Sequence, residues 1–370
     1  MFRRSDQVAK VKKAPNSPYL KTSYAKELVI AAFDTPFRKK ASVVGVFLLL
    51  SLPFVSSNYL IHIVNMAAIA AVGALSLNLL CGNAGLLSLG QAGFMASGAF
   101  TTAILAVRFG MPVWVVLPTA GVVGGVLGFL AGLPSLRLKG MYLGLSTLAV
   151  HYLIVYALSE YQYYGGSGFG IPIKVDQSGL FNLSSDRAWY FVLCFSVFIV
   201  ALFIKNLLRS RPGRAWVALH DRDIAAEIIG INIGRYKILA FIVSSSIIAM
   251  SGSIYAYYTG VATIEEYSFG MTVSYLAMII VGGLGSIFGS LVGAFIITSL
   301  PFLLMGIVDH FEITGAIKNY FFAVQSGFFG IIIIAFLLIE PLGLAEIWKR
   351  IRIYFERWPF KYKPLAITKR

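Results

Sequence analysis

The chain has 370 residues, 58% of them hydrophobic and only 13% charged, with a mean hydropathy of +0.79. Charge is about half as common as in soluble domains, which excludes a soluble globular domain and indicates a membrane protein. The net charge of +15 would suggest nucleic acid in a soluble chain, but in a membrane protein Lys and Arg collect on the cytoplasmic side, so their distribution decides.

Residues 1–40 are polar and basic, ending in Phe37-Arg38-Lys39-Lys40, and read as a cytoplasmic extension. The first apolar run, at 41–57, begins too far into the chain for a secretory signal peptide. Further runs cover 60–81, 84–107, 112–132, 141–160, 188–208, 238–259, 269–283, 287–305 and 325–340, and a basic tail closes the chain at 341–370. A crossing needs about 20 apolar residues. The expected fold is therefore an all-α integral membrane protein of about ten transmembrane helices. Ten crossings put both termini on one side. That side then holds 27 of the 31 Lys and Arg, and only Arg108, Lys174, Arg187 and Lys318 lie opposite. This asymmetry makes the first side cytoplasmic and assigns the charge to topology and anionic lipid, not nucleic acid.

The two cysteines, Cys81 and Cys194, lie inside apolar runs, and the four histidines form no ligand pair at helical spacing, so neither a disulfide framework nor a metal site is expected. No Arg ladder marks a voltage sensor, and no cluster of buried acids marks a proton pump or a membrane-embedded enzyme. An ion-coupled carrier remains an alternative.

Two stretches are too rich in small and polar residues for lipid-facing helices. Gly82–Gly98 offers Gly85, Ser88, Gly90, Gln91 and Gly93 as candidates for a translocation pathway. Glycine tolerates a break, and a broken helix end can present N–H groups to a carboxylate. The competing reading is tight helix packing. The second stretch, 281–295, has a similar glycine pattern, a weak sign of internal duplication. Neither is a phosphate loop, so any ATP must be bound by a partner. In the outer polar stretch, Gly165, Gly166 and Ser167 are candidates for an outer gate, while Tyr161, Tyr163 and Tyr164 suit an interfacial belt.

The polar loop 209–237 is the longest interruption among the apolar runs. Trp216, Leu219, Ile224, Ile228, Ile229 and Ile231 are spaced for one or two short amphipathic helices, with Gly230 placed to end one. Such a segment is either a docking surface for a soluble partner or a helix lying on the bilayer.

Several motifs in order resemble one family. They are S-L-N-L-L-C-G-N-A-G-L-L-S-L-G-Q-A-G-F (76–94), L-P-S-L-R-L-K-G-M-Y-L-G-L-S-T-L-A (133–149) and Y-G-G-S-G-F-G-I (164–171). Two more follow, G-R-A-W-V-A-L-H-D-R-D-I-A-A-E-I-I-G-I-N-I-G-R-Y-K-I-L-A-F (213–241) and I-I-V-G-G-L-G-S-I-F-G-S-L-V-G-A (279–294). Over about residues 60–345 the chain resembles the M-type permease of branched-chain amino acid (Liv) ABC importers, the 213–241 stretch being the most specific. The resemblance implies a permease domain at 41–340 in a bacterial or archaeal cytoplasmic membrane. It implies partners: an H-type companion permease, two cytoplasmic ATPases that bind the ATP, and a periplasmic substrate-binding protein. It also implies that Asp223, Ala225, Ala226, Glu227 and Gly230 belong to a coupling helix, with Asp223 suited to the helix's N-terminal end by capping or dipole. No catalytic residue or cofactor of the chain's own is implied. The chain departs from the family in its basic N-terminal extension and in Y-G-G-S-G-F-G-I, where T-G-G-x-x-G-I is frequent. Relatives on this scaffold carry urea, amides or aromatic acids, which stand as alternative substrates.

Overall fold

The computed structural model describes residues 51–54, 56–165, 168, 170–173, 185–310, 327, 330, 331, 334, 335 and 343–357. The chain divides into two compact units, 1–55 and 56–370, and the elements below belong to the second.

In chain order, α1 is Asn58–Asn78, running into a π-helical turn at Leu79–Asn83, and α2 is Gln91–Ala103, extended by a second π turn at Ile104–Arg108. Next come α3 (Val113–Gly132), α4 (Met141–Gly165) and α5 (Asp186–Arg209). Two short helices, α6 (Arg211–Asp221) and α7 (Asp223–Ile228), lead into α8 (Ile233–Thr259), then α9 (Phe269–Gly282), α10 (Ile287–His310) and α11 (Leu344–Arg357). The ends follow local chemistry. Ser57, Ser185 and Asn232 accept hydrogen bonds from Leu60, Ala188 and Arg235 N–H at the starts of α1, α5 and α8. Gly260 ends α8 in the left-handed conformation. A two-residue antiparallel ladder, Ile171–Pro172 (β1) on Val261–Ala262 (β2), ties the chain after α4 to the chain after α8, a feature the apolar runs do not announce.

Among the described residues, six helices are long and apolar enough to cross a membrane, against the ten expected: Asn58–Asn83, Val113–Leu136, Met141–Tyr164, Asp186–Arg209, Ile233–Thr259 and Ile287–Gly306. Two other runs are helical but shorter. The run at 84–107 begins with non-helical backbone and becomes helical only from Gln91. The run at 269–283 is a 14-residue helix, about 21 Å long at 1.5 Å per residue, which falls short of a 30 Å hydrocarbon core. The runs at 41–57 and 325–340 lie outside the described residues, apart from a few helical positions.

The core is built on α1, α2 and α8. Gly121, Gly124, Gly125 and Gly128 of α3 face Met250, Ser245 and Ser246 of α8, while Gly98 of α2 and Gly252 of α8 lie against Ala249 and Met95 across their own contact. Added methyl groups at Gly98, Gly124, Gly128 and Gly252 would collide with backbone, so these glycines set the close approach of the helices, as small residues do in membrane bundles. By contrast, α5 leaves Phe195, Phe198, Ile199, Leu202 and Phe203 exposed, an apolar face suited to lipid.

Candidate functional site

The polar loop folds as two helices joined by one extended residue, Arg222. Gly213 packs directly on the backbone of Leu207 and Leu208, which lets the chain turn sharply from α5 into α6. The inner face of α6 carries Ala215, Trp216 and Leu219, all buried. Trp216 is fully enclosed and donates its Nε1–H to the carbonyl of Tyr236 at 2.8 Å, fastening α6 to the start of α8.

The next helix, α7, points the other way. Ala226 is 1% exposed and anchors it, while Ile224, Ile228 and Ile229 are 73%, 81% and 73% exposed. Ala225 and Glu227 are also exposed. Asp223 is its first residue and makes no capping hydrogen bond, so of the two roles expected at this end only the dipole interaction is available. Its Oδ2 lies 2.9 Å from Lys139 Nζ and 3.4 Å from Lys237 Nζ. The Lys237 side chain is buried. Partial burial alone would raise the Asp223 carboxyl, but the hydrogen bond from Lys139 and the charge of Lys237 outweigh it and hold the group below the usual aspartate value. The bridge also joins the 133–140 loop to the 205–237 segment. Gly230, at φ +87°, ends α7. Its N–H bonds to Glu227 O at 2.9 Å and the Ile231 N–H bonds to Ala226 O at 3.0 Å, the paired closure of a Schellman motif.

The glycine-rich break lies directly against this segment. Gly85 sits at φ +67°, and a Cβ there would approach His220 Cδ2 at the end of α6 at 2.7 Å. Leu79, Leu80, Ala84 and Leu86 of the break share one buried cluster with Trp216, Leu219 and Ala226. The other pathway candidates lie deeper and are packed. Ser88 and Gln91 are fully buried, Gly90 faces the Thr147 carbonyl, and Gly93 faces His151. Side chains of neighbouring helices satisfy the backbone N–H groups that the break frees. Thr147 Oγ1 accepts from Leu89 N–H at 2.9 Å and Thr272 Oγ1 from Ala92 N–H at 3.0 Å. Gln91 donates to Ser76 Oγ at 3.0 Å, and Ser76 in turn bonds Ser244 O at 2.7 Å. This is how non-helical backbone is tolerated at membrane depth.

The second glycine-rich stretch meets the first. Asn78 Oδ1 accepts from Gly285 N–H at 2.8 Å, and Asn78 Nδ2 donates to Ser286 O at 3.2 Å. Gly82 packs on Gly285 backbone. Asn78, Thr147, Thr272, Lys139, Lys237 and His220 were not singled out from the sequence. Their only signal is a polar side chain inside or bordering an apolar run.

At the other end of α4, Gly165 is the last helical residue, while Gly166 and Ser167 lie outside the described residues. Gln162 is buried here. It donates to the Glu265 carboxylate at 3.3 Å and accepts from Ile264 N–H at 2.9 Å, bracing α4 against the turn before α9. The Arg108 guanidinium lies 5.1 Å from the Tyr161 ring centre. No cluster of His, Cys, Asp or Glu suited to a metal ion occurs among the described residues.

Comparison with known proteins identifies a family. The family described as "Branched-chain amino acid transport system / permease component" matches residues 59–337. The chain is 30% identical over 304 residues to the high-affinity branched-chain amino acid transport system permease protein LivM of Escherichia coli, covering 75% of this chain and 72% of that protein. It is 32% identical over 266 residues to the LivM protein of Salmonella typhimurium, covering 65% and 63%. It is 26% identical over 238 residues to a probable LivM protein of Methanocaldococcus jannaschii, covering 62% and 68%. No solved structure matches.

Proposed function

The chain belongs to the branched-chain amino acid transport permease family, and from that premise we propose that it is the membrane-spanning permease of an ATP-driven importer. Its solutes would be branched-chain or other hydrophobic amino acids, delivered by a periplasmic binding protein. A companion permease of the H type would complete the pathway, and two cytoplasmic ATPases would bind and hydrolyse ATP. The proposed topology is ten crossings with both termini cytoplasmic. The ion pair between Lys139 and Asp223 supports the placement of their two loops on the same side.

The observation that carries the reading is the exposed trio Ile224, Ile228 and Ile229 on a helix whose other face is fastened down. Burying a side chain of this size is worth roughly 1.5–3 kcal/mol, so a rigid helix presenting three of them calls for a partner surface. Glu227 lies among them and is exposed, which suits a protein groove better than an anionic inner leaflet. In this reading α7, with Asp223, Ala225, Ala226, Glu227 and Gly230, is the coupling helix. Movement of the ATPases would reach the Gly85–Gly93 stretch through His220. That stretch would border the pathway, and Gly165, Gly166 and Ser167 would form part of the outer gate.

The test is transport and ATPase association of Glu227→Lys and Ile228→Glu. Both proteins should insert normally, lose the ATPases and lose transport. Wild-type rates in both would remove the coupling assignment. Transport by the chain alone in vesicles, abolished by an ionophore, would favour an ion-coupled carrier instead.

A further inference from the structure

One helix carries two tyrosine hydroxyls on its outward face near its midpoint. The exposed side of α4 runs Tyr142, Leu145, Ala149, Tyr152, Tyr156, Glu160 and Tyr163, separated by three or four residues, with Leu153 exposed beside Tyr152. Tyr142 and Tyr163 lie near the helix ends, where tyrosine suits the interface. Tyr152 and Tyr156 do not. In a 25-residue helix they stand within about 5 Å of the midpoint at 1.5 Å per residue, so each hydroxyl lies well inside a hydrocarbon core about 30 Å thick. A phenol reaches about 6 Å from its backbone and cannot bring its hydroxyl to the headgroups from there. Tyr152 is 55% and Tyr156 65% exposed. Among the described residues neither hydroxyl has a hydrogen-bond partner, and the Tyr152 ring merely stacks edge-on with His151.

The other long exposed faces differ at the same depth. Near its midpoint α3 exposes Val122 and Val126, and α5 exposes Phe198 and Leu202. These have no polar atom to satisfy. The difference between Phe198 and Tyr152 is a hydroxyl group, and a hydroxyl at mid-membrane needs water or protein.

We propose that the exposed face of α4 is one wall of a hydrated solute pathway closed on its far side by the companion permease. Phenol hydroxyls at the centre bond water or the polar head of a solute, while the ring faces and Leu145 contact its apolar part. That chemistry fits a small amphipathic zwitterion better than an ion or a sugar. The proposal rests on the permease-pair reading above and adds which helix faces the solute.

The test uses the assembled importer in native membranes and a membrane-impermeant, charged thiol reagent. Tyr152→Cys and Tyr156→Cys are compared with Val126→Cys and Phe198→Cys, and the wild-type chain with its own Cys81 and Cys194 supplies the background rate. Because a thiol reacts as thiolate and needs water to ionise, the two α4 positions should react at least about tenfold faster than the controls. A transported amino acid at saturating concentration should slow them. Equal rates at all four positions would overturn the proposal. Tyr152→Phe and Tyr156→Phe keep the ring and remove only the hydroxyl, which covers the case in which a cysteine variant fails to assemble. A hydrated wall predicts a raised KM for transport with ATPase co-purification intact, and an unchanged KM in both variants contradicts it. If the wild-type chain purifies without a second permease, the permease-pair reading fails. If the complex is intact but the thiols are silent, only the α4 assignment fails.

Discussion

Asp223 holds two unequal partners. Lys139 is mostly exposed, and a surface ion pair of that kind contributes about 0–1 kcal/mol. Lys237 is buried, and removing its acceptor leaves a charged donor without a partner, a cost of about 1–3 kcal/mol or more. Asp223→Ala should therefore destabilise the protein clearly more than Lys139→Ala, measured by thermal unfolding in one detergent. The pH dependence has a definite sign. The folded carboxyl is held below its ordinary value, so its contribution is complete above the unfolded value of about 3.9 and is lost only as pH falls through the lower folded one. Between about pH 5 and pH 8 the Asp223 bridge should leave stability flat. Gly230 is constrained differently. Nothing lies within 4 Å of where its Cβ would be, so the demand for glycine there comes from the positive φ alone. Gly230→Ala should cost about 1–2 kcal/mol, and Gly230→Asn less, because Asn tolerates this conformation.

At the scale of elements, the long apolar runs are legible in the sequence because 20 residues without charge leave few alternatives to a helix, as α5 and α8 illustrate. The break between α1 and α2 is legible too, from the density of small residues after Gly82. The facing of the polar loop is not. Trp216, Leu219, Ile224 and Ile228 fit one or two short amphipathic helices on paper, with no indication of which way each faces. The extended residue Arg222 swings α7 away from α6, so Trp216 goes in and the isoleucines go out. Nor is Asn78 legible as the clamp on Gly285 and Ser286, because its partners lie about 207 residues away. The direct contact of Gly85 with His220 leads to a double-variant prediction. Gly85→Ala must displace His220 and also strain a left-handed backbone, so transport should fall while the ATPases stay bound. His220→Ala removes the closest contact but neither the 3.2 Å approach to the His220 Cα nor the strain, so Gly85→Ala/His220→Ala should recover part of the lost transport. No recovery, in a protein that still assembles, would mean that the break and α6 are not mechanically joined.

For the whole molecule, the hydrophobic composition and the six long apolar helices among the described residues account for a chain built into a membrane. The described helices bury polar groups by pairing them with one another, as in the Ser76–Ser244 and Thr102–Ser253 contacts between α1, α2 and α8. Some buried polar atoms, such as Gln91 Oε1 and the Tyr267 hydroxyl, have no partner among the described residues, and on the surface two further features stand out, the isoleucines of α7 and the tyrosines of α4. They lie on different parts of the chain and have opposite chemistry, apolar groups outside the bundle and hydroxyls in mid-membrane. Each is explained if the chain works as one subunit of a larger assembly, with a cytoplasmic partner on α7 and a hydrated partner face on α4.

The reading proposed for α7 turns on whether that helix docks the chain onto ATPase subunits. The most direct measurement is gentle purification of the tagged wild-type chain and of Ile228→Glu from native membranes, with every co-purifying protein identified and weighed. A second permease should accompany both chains, and ATPases should accompany the wild type and fall about tenfold or more in the variant, as for loss of an interface hot spot. A wild-type chain that purifies alone, or a variant that retains its ATPases in full, would contradict it.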